Sequence, residues 1–181
     1  MKTLSITLFA IFLSSHLIMA QNEPLLTEVN VSNYELPEIK RSSRTSVLHA
    51  TYLKKTKEIN MSKHIQNLRK YVSNYDYRKN ENFDVLSQTS EVKFQSEKGY
   101  ILVTYDVNGK IIKTEEVFKD VKIPLRVRQT VFYVYPGWIL TKVKYHSQYM
   151  ENQPNTTFYK VEIQKGDETK IIKVNSKGEF L

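Results

Sequence analysis

The chain of 181 residues contains four histidines, nineteen acidic side chains and no cysteine, so its options for catalysis are few. His49, His64 and His146 fall in separate stretches, none with a second His or a carboxylate at the spacing that closes a metal site. Without cysteine there is no thiol nucleophile. No Gly-x-Ser-x-Gly elbow, phosphate-cradling glycine loop or His-Glu-x-x-His helix occurs either. Glu115 and Glu116 are adjacent acids, but neighbours on a strand point to opposite faces and cannot act on one bond. They are expected as solvated charges near a strand end. No acid, base, nucleophile or metal set can be named, so no enzyme activity and no cofactor are expected.

The residues with the most to offer a partner lie after position 137. Period-two counting places Ile139, Thr141, Val143 and Tyr145 on one face, and Trp138, Leu140, Lys142, Lys144 and His146 on the other. On the next run Tyr159, Val161 and Ile163 oppose Phe158, Lys160 and Glu162. If the first set is core, the opposite face presents Trp138, Lys142, Lys144, Phe158 and Lys160, rings interleaved with positive charge. Aromatic anchors of this kind are enriched at interfaces. The expected partner is a protein; the alternative is an anionic glycan or lipid surface.

The elements that must position those residues can be read along the chain. Val47 to Tyr52 reads as a β-rich stretch, and Ser62 caps a helix whose Ile65, Leu68 and Val72 share one face. Strand-like runs follow at Phe83 to Thr89, Val92 to Gln95 and Tyr100 to Val107, with a turn over residues 96–99; one long strand from Phe83 to Gln95 is the alternative to the first two. Asn108-Gly109 between two β-rich runs signals a hairpin, because both residues tolerate positive φ, and Ile111 to Phe118 returns. Pro124 suits the first turn of a second helix that carries Val127, Val131 and Val134 and stops at Pro136-Gly137. Trp138 to Tyr149, Thr157 to Lys165 and Thr169 to Asn175 read as three more strands.

A shift of 69 residues superposes Ser90–Ile111 on Tyr159–Phe180 without a gap. Val92 falls on Val161, Phe94 on Ile163, Leu102 on Ile171, Tyr105 on Val174 and Gly109 on Gly178. Each copy follows a helix of similar size, and two such units side by side bury what one alone could not. The expected fold is therefore α+β, a duplicated helix-plus-antiparallel-strands unit with two helices on one face of an antiparallel sheet. The copies span about 61–118 and 124–181.

Lys2, the apolar run from Leu4 to Met19 and the small Ala20 describe a secretory signal peptide over residues 1–20. Residues 21–45, with Pro24, Pro37 and the basic Lys40, Arg41 and Arg44, read as an extended, partly disordered leader, and residues 46–181 as the folded domain. A periplasmic or secreted location follows. The formal net charge is +8, one less once Lys2 is cut away, and it is spread along the chain. That balance suits an acidic partner. It includes no basic recognition helix, and no nucleic acid is expected.

The run Tyr105-Asp106-Val107-Asn108-Gly109-Lys110-Ile111, then Pro124, Tyr135-Pro136-Gly137-Trp138, Tyr159-Lys160-Val161 and Gly178-Glu179-Phe180, resembles the secreted PepSY-like proteins of Bacteroidetes over roughly residues 46–181. That resemblance implies the duplicated helix-over-sheet architecture of the β-lactamase-inhibitor protein. It also implies a role in binding or restraining other proteins, often peptidases. A similar subgroup has carried a nicotinate-nucleotide adenylyltransferase label. Such enzymes need a His-x-Gly-His motif, and no glycine here stands two residues from a histidine.

Overall fold

The computed structural model describes residues 26–31, 47–58, 60–84 and 86–181. The expected signal peptide and most of the expected leader lie outside the described residues. Seven strands form one sheet in sequential order: β1 (Leu26–Asn30), β2 (Thr89–Ser96), β3 (Gly99–Asp106), β4 (Ile111–Lys119), β5 (Ile139–Met150), β6 (Thr156–Lys165) and β7 (Glu168–Asn175). Three helices accompany them: α1 (Ala50–Lys55), α2 (Lys63–Asn74) and α3 (Leu125–Val134). The α+β class is as expected. β2 to β7 pair antiparallel, whereas β1 pairs parallel to β2 with Leu26 opposite Glu91 and Asn30 opposite Gln95. Part of the expected leader is therefore an edge strand, and the sheet is not wholly antiparallel.

Alternation along the strands sends one side chain in two to the helices. Val92 and Phe94, Ile101, Val103 and Tyr105, Glu116 and Phe118, Tyr145 and Tyr149, and Tyr159, Val161 and Ile163 are all buried on that side. Ile65, Leu68 and Val72 of α2 meet them, as do Val127 and Val131 of α3. Each such apolar side chain contributes about 1.5–3 kcal/mol by leaving water. The tyrosine excess is absorbed here. Tyr52, Tyr77, Tyr105, Tyr145, Tyr149 and Tyr159 are all buried, and Tyr77 stacks on Tyr105 with centroids 5.0 Å apart.

Four local expectations are corrected. Ala50–Lys55 is a helix rather than a β-rich stretch. Tyr52 is buried and donates to Glu116 Oε1 at 2.9 Å, so tertiary anchoring overrides β-propensity. Of the expected strand Phe83 to Thr89 only Thr89 is in a strand, as the first residue of β2, among the described residues. Asp84 Oδ1 accepts from the Leu86 amide at 2.8 Å, and this local turn competes with ladder pairing. The Asn108-Gly109 hairpin forms, but only Gly109 takes positive φ, at 71°. Asp106 Oδ1 closes the turn by accepting from the amides of Asn108 and Lys110, both at 2.9 Å. At the other turn Gly99 is required by space, since a Cβ there would collide with the carbonyl oxygen of Val117. Finally, Glu116 is not a solvated charge: it is 1% exposed, whereas Glu115 is exposed as expected.

Under the 69-residue shift the bounds of β3 land on those of β7. The regions around the two hairpins differ. α1, α2 and a 3-10 turn at Tyr77–Lys79 accompany the first, α3 alone precedes the second, and the last strand is reduced to a single bridge between Val174 and Phe180.

Candidate binding face

Tyr52 of α1, Ile65, Leu68 and Val72 of α2 and Val127 and Val131 of α3 all enter the one core cluster, so among the described residues the far side of the sheet carries no helix. Lys142, Lys144, Phe158 and Lys160 are brought together on this open side. Trp138 is not. Between Leu140 and Lys142 the β5–β6 register shifts, leaving Thr141 as a bulge. Its hydroxyl donates to the Glu162 carboxylate at 2.9 Å.

The extra residue reverses the parity of everything before it. Leu140 therefore lies opposite the buried Ile163 and faces the core, while Ile139 turns to the open side, 68% exposed. Trp138 packs against the core cluster on the helix side, edge-on to Tyr135 at 6.1 Å and beneath Lys170, whose Nζ is 4.6 Å from the ring. The expected faces for Trp138, Leu140, Ile139 and Thr141 are thus exchanged.

The open face carries a feature that needs the register to see. Lys119 on β4 lies directly opposite Lys144 on β5, Lys144 opposite Lys160 on β6, and Lys160 opposite Lys173 on β7. All four are exposed. The other lysines of the open face have carboxylate partners. Lys93 meets Glu28 at 2.5 Å, Lys113 meets Glu115 at 2.6 Å and Lys142 meets Glu162 at 3.0 Å. Among the described residues the four in the row have none. Like charges directly opposite on a sheet are destabilising.

One row along the strands, Val117 lies opposite His146 and His146 opposite Phe158. The imidazole stacks on the phenyl ring with centroids 4.7 Å apart and planes within 2°. Lys173 Nζ sits 5.7 Å from the Phe158 centroid. Burial holds the His146 pKa below the usual histidine value, and the charges of Lys160, Lys144 and Lys173 push it the same way. The ring pair is therefore neutral at pH 7 and sits in the field of the lysine row. The hydrogen bonds from Lys142 and Thr141 hold the Glu162 carboxyl below its usual range. That acid is committed to its own neighbours.

Lys144, Lys160 and the parity of their strands were visible in the sequence. Lys119 and Lys173 were missed, because their place in the row depends on the pairing of β4 with β5 and of β6 with β7. Among the described residues no three His, Asp or Glu side chains gather as a metal site, and no helix is long and apolar enough to cross a membrane.

Fold and face together define an α+β protein with a helix-covered side and an open side that carries a row of exposed lysines. No family model and no curated protein matches the chain. Among solved structures it is similar to one described as a BLIP-like protein from Bacteroides fragilis, at 18% identity and a TM-score of 0.33, covering 70% of this chain and 86% of that one.

Proposed function

We propose that this chain is a noncatalytic binding protein of the periplasm or cell exterior, carried there by the signal peptide of residues 1–20, whose open sheet face holds an acidic partner protein. The observation that supports this most directly is the row Lys119, Lys144, Lys160 and Lys173, four opposed charges with no carboxylate in ion-pair contact among the described residues. A surface selected for stability alone would alternate sign across these strands. Positive potential concentrated in one row instead steers and orients a negative partner. The resemblance to PepSY-like proteins, with two related helix-plus-strands units and a restrained protein such as a peptidase, points the same way.

The test is capture by the immobilised chain of residues 21–181 from the envelope and secreted fraction, beside Lys144→Glu/Lys160→Glu. A protein held by the first and released by the second supports the reading. Retention of an anionic glycan or lipid alone, lost as salt rises, replaces the protein partner with a polyanion. Equal capture by both chains removes the face from the function.

A further inference from the structure

We infer that the element of the partner received by this face is an α-helix lying across strands β4 to β7, with carboxylates at one-turn spacing seated on Lys119, Lys144, Lys160 and Lys173. This rests on the protein-binding reading above and deepens it.

The argument is one of pitch. Adjacent strands stand about 4.8 Å apart, so three steps carry the lysine row across about 14 Å. A helix rises about 1.5 Å per residue, and side chains at i, i+4, i+7 and i+11 form one stripe about 16 Å long. The mismatch of about 2 Å is within reach of flexible lysine stems. An extended segment repeats each face every 6.6–6.8 Å or so, and four of its side chains would span about 20 Å, overshooting the row by about 6 Å.

The neighbouring row fits the same occupant. Val117, His146 and Phe158 lie two residues along their strands from the lysines, roughly 6.7 Å away, within the width of one helix of about 10 Å. Apolar side chains beside the acidic stripe would rest on the His146–Phe158 stack. On the other flank Glu162 is paired with Lys142, so its charge reaches Lys144 already largely offset. The occupant is thus amphipathic in an unusual sense, with an acidic stripe bordered by an apolar one.

The experiment uses the chain of residues 21–181 and two labelled Ala-rich peptides of about 20 residues, long enough to be helical in water. One carries Glu at i, i+4, i+7 and i+11 with Leu beside the stripe; the other has the same composition with Glu distributed around the helix. Fluorescence anisotropy at low salt is expected to show at least about tenfold tighter binding of the striped peptide. That preference should vanish in Lys144→Glu/Lys160→Glu, with circular dichroism confirming that the variant is folded. Equal affinity for both peptides overturns the helix, as does a polysulfated glycan that binds where neither peptide does. Should the charge reversal still release a captured envelope protein while the peptides show no preference, the helix fails and the protein-binding reading stands. Should it change neither, both fail.

Discussion

Arg69 on α2 and Glu116 on β4 form a buried ion pair, Nη2 to Oε2 at 2.7 Å, with the two side chains 3% and 0% exposed. The same guanidinium donates to the Thr56 carbonyl at 2.5 Å and to the Tyr145 hydroxyl at 3.1 Å, and Tyr52 donates to the other Glu116 oxygen. Tyr145 in turn bonds the Glu58 carboxylate. One network thus ties α1, α2, β4 and β5 in a single register. Burial works against the charge on Arg69, but Glu116, Tyr145 and Tyr52 together outweigh it and hold the guanidinium proton more tightly than usual. Burial pushes the Tyr145 phenol up, and that of Tyr159 up to about 12.

Removing one member of this pair strands the other. Glu116→Ala is expected to lose about 3–5 kcal/mol, whereas Arg69→Met/Glu116→Leu should lose far less, because a packed apolar pair avoids the desolvation of both ions. Urea unfolding of the two variants checks this. A single variant within about 1 kcal/mol of the parent would show that the pair is hydrated.

The lysine row predicts the opposite sign. Lys160→Glu sets a carboxylate between Lys144 and Lys173 and should stabilise the chain by a few tenths to about 1 kcal/mol at low salt. The gain should shrink as salt screens it. Thermal denaturation at two ionic strengths measures it, and a loss of stability would mean that the row is already neutralised.

Trp138→Ala should cost stability and leave binding alone, since the ring lies on the helix side beneath Lys170. A tryptophan that is mostly but not fully buried stands to lose about 2–4 kcal/mol, a little under the cost at a fully buried site. Denaturation and the peptide titration together decide this. Weakened binding in a fully folded variant would return Trp138 to the open face.

Acid should destabilise the chain through its histidines. His49, His64 and His146 all have pKa values lowered first by burial. The unfolded chain therefore takes up protons before the native one does. Stability falls as pH drops through about 6.5 and goes on falling until the lower native values are passed. Urea midpoints between pH 7.5 and 5 should decline, less steeply in His49→Asn, where the bond between Nε2 and the Tyr75 carbonyl, 3.1 Å, can be replaced. A flat profile would mean that these rings titrate normally.

Local patterns carried most of the strands and two of the helices. Apolar residues at helical spacing marked α2, Pro124 and Pro136-Gly137 bounded α3, and alternation marked β3, β4, β6 and β7 to within a residue or two. These signals survive because each depends on neighbours in sequence. α1 had no such signal: six residues ending in Lys54 and Lys55 are helical because Tyr52 reaches Glu116, 64 positions away. Glu116 itself looked like a surface acid, since nothing near it in sequence announces Arg69.

The sequence by itself determined the α+β class and the parity that puts Lys142, Lys144, Phe158 and Lys160 on one side. Only the tertiary structure decided what that side is. One bulge at Thr141 moved Trp138 to the core, because side-chain direction alternates with a period of two and a single inserted residue inverts it. The register of four strands then aligned Lys119, Lys144, Lys160 and Lys173. Register is a relation between segments far apart in the chain, settled by which faces bury together, and no local pattern contains it.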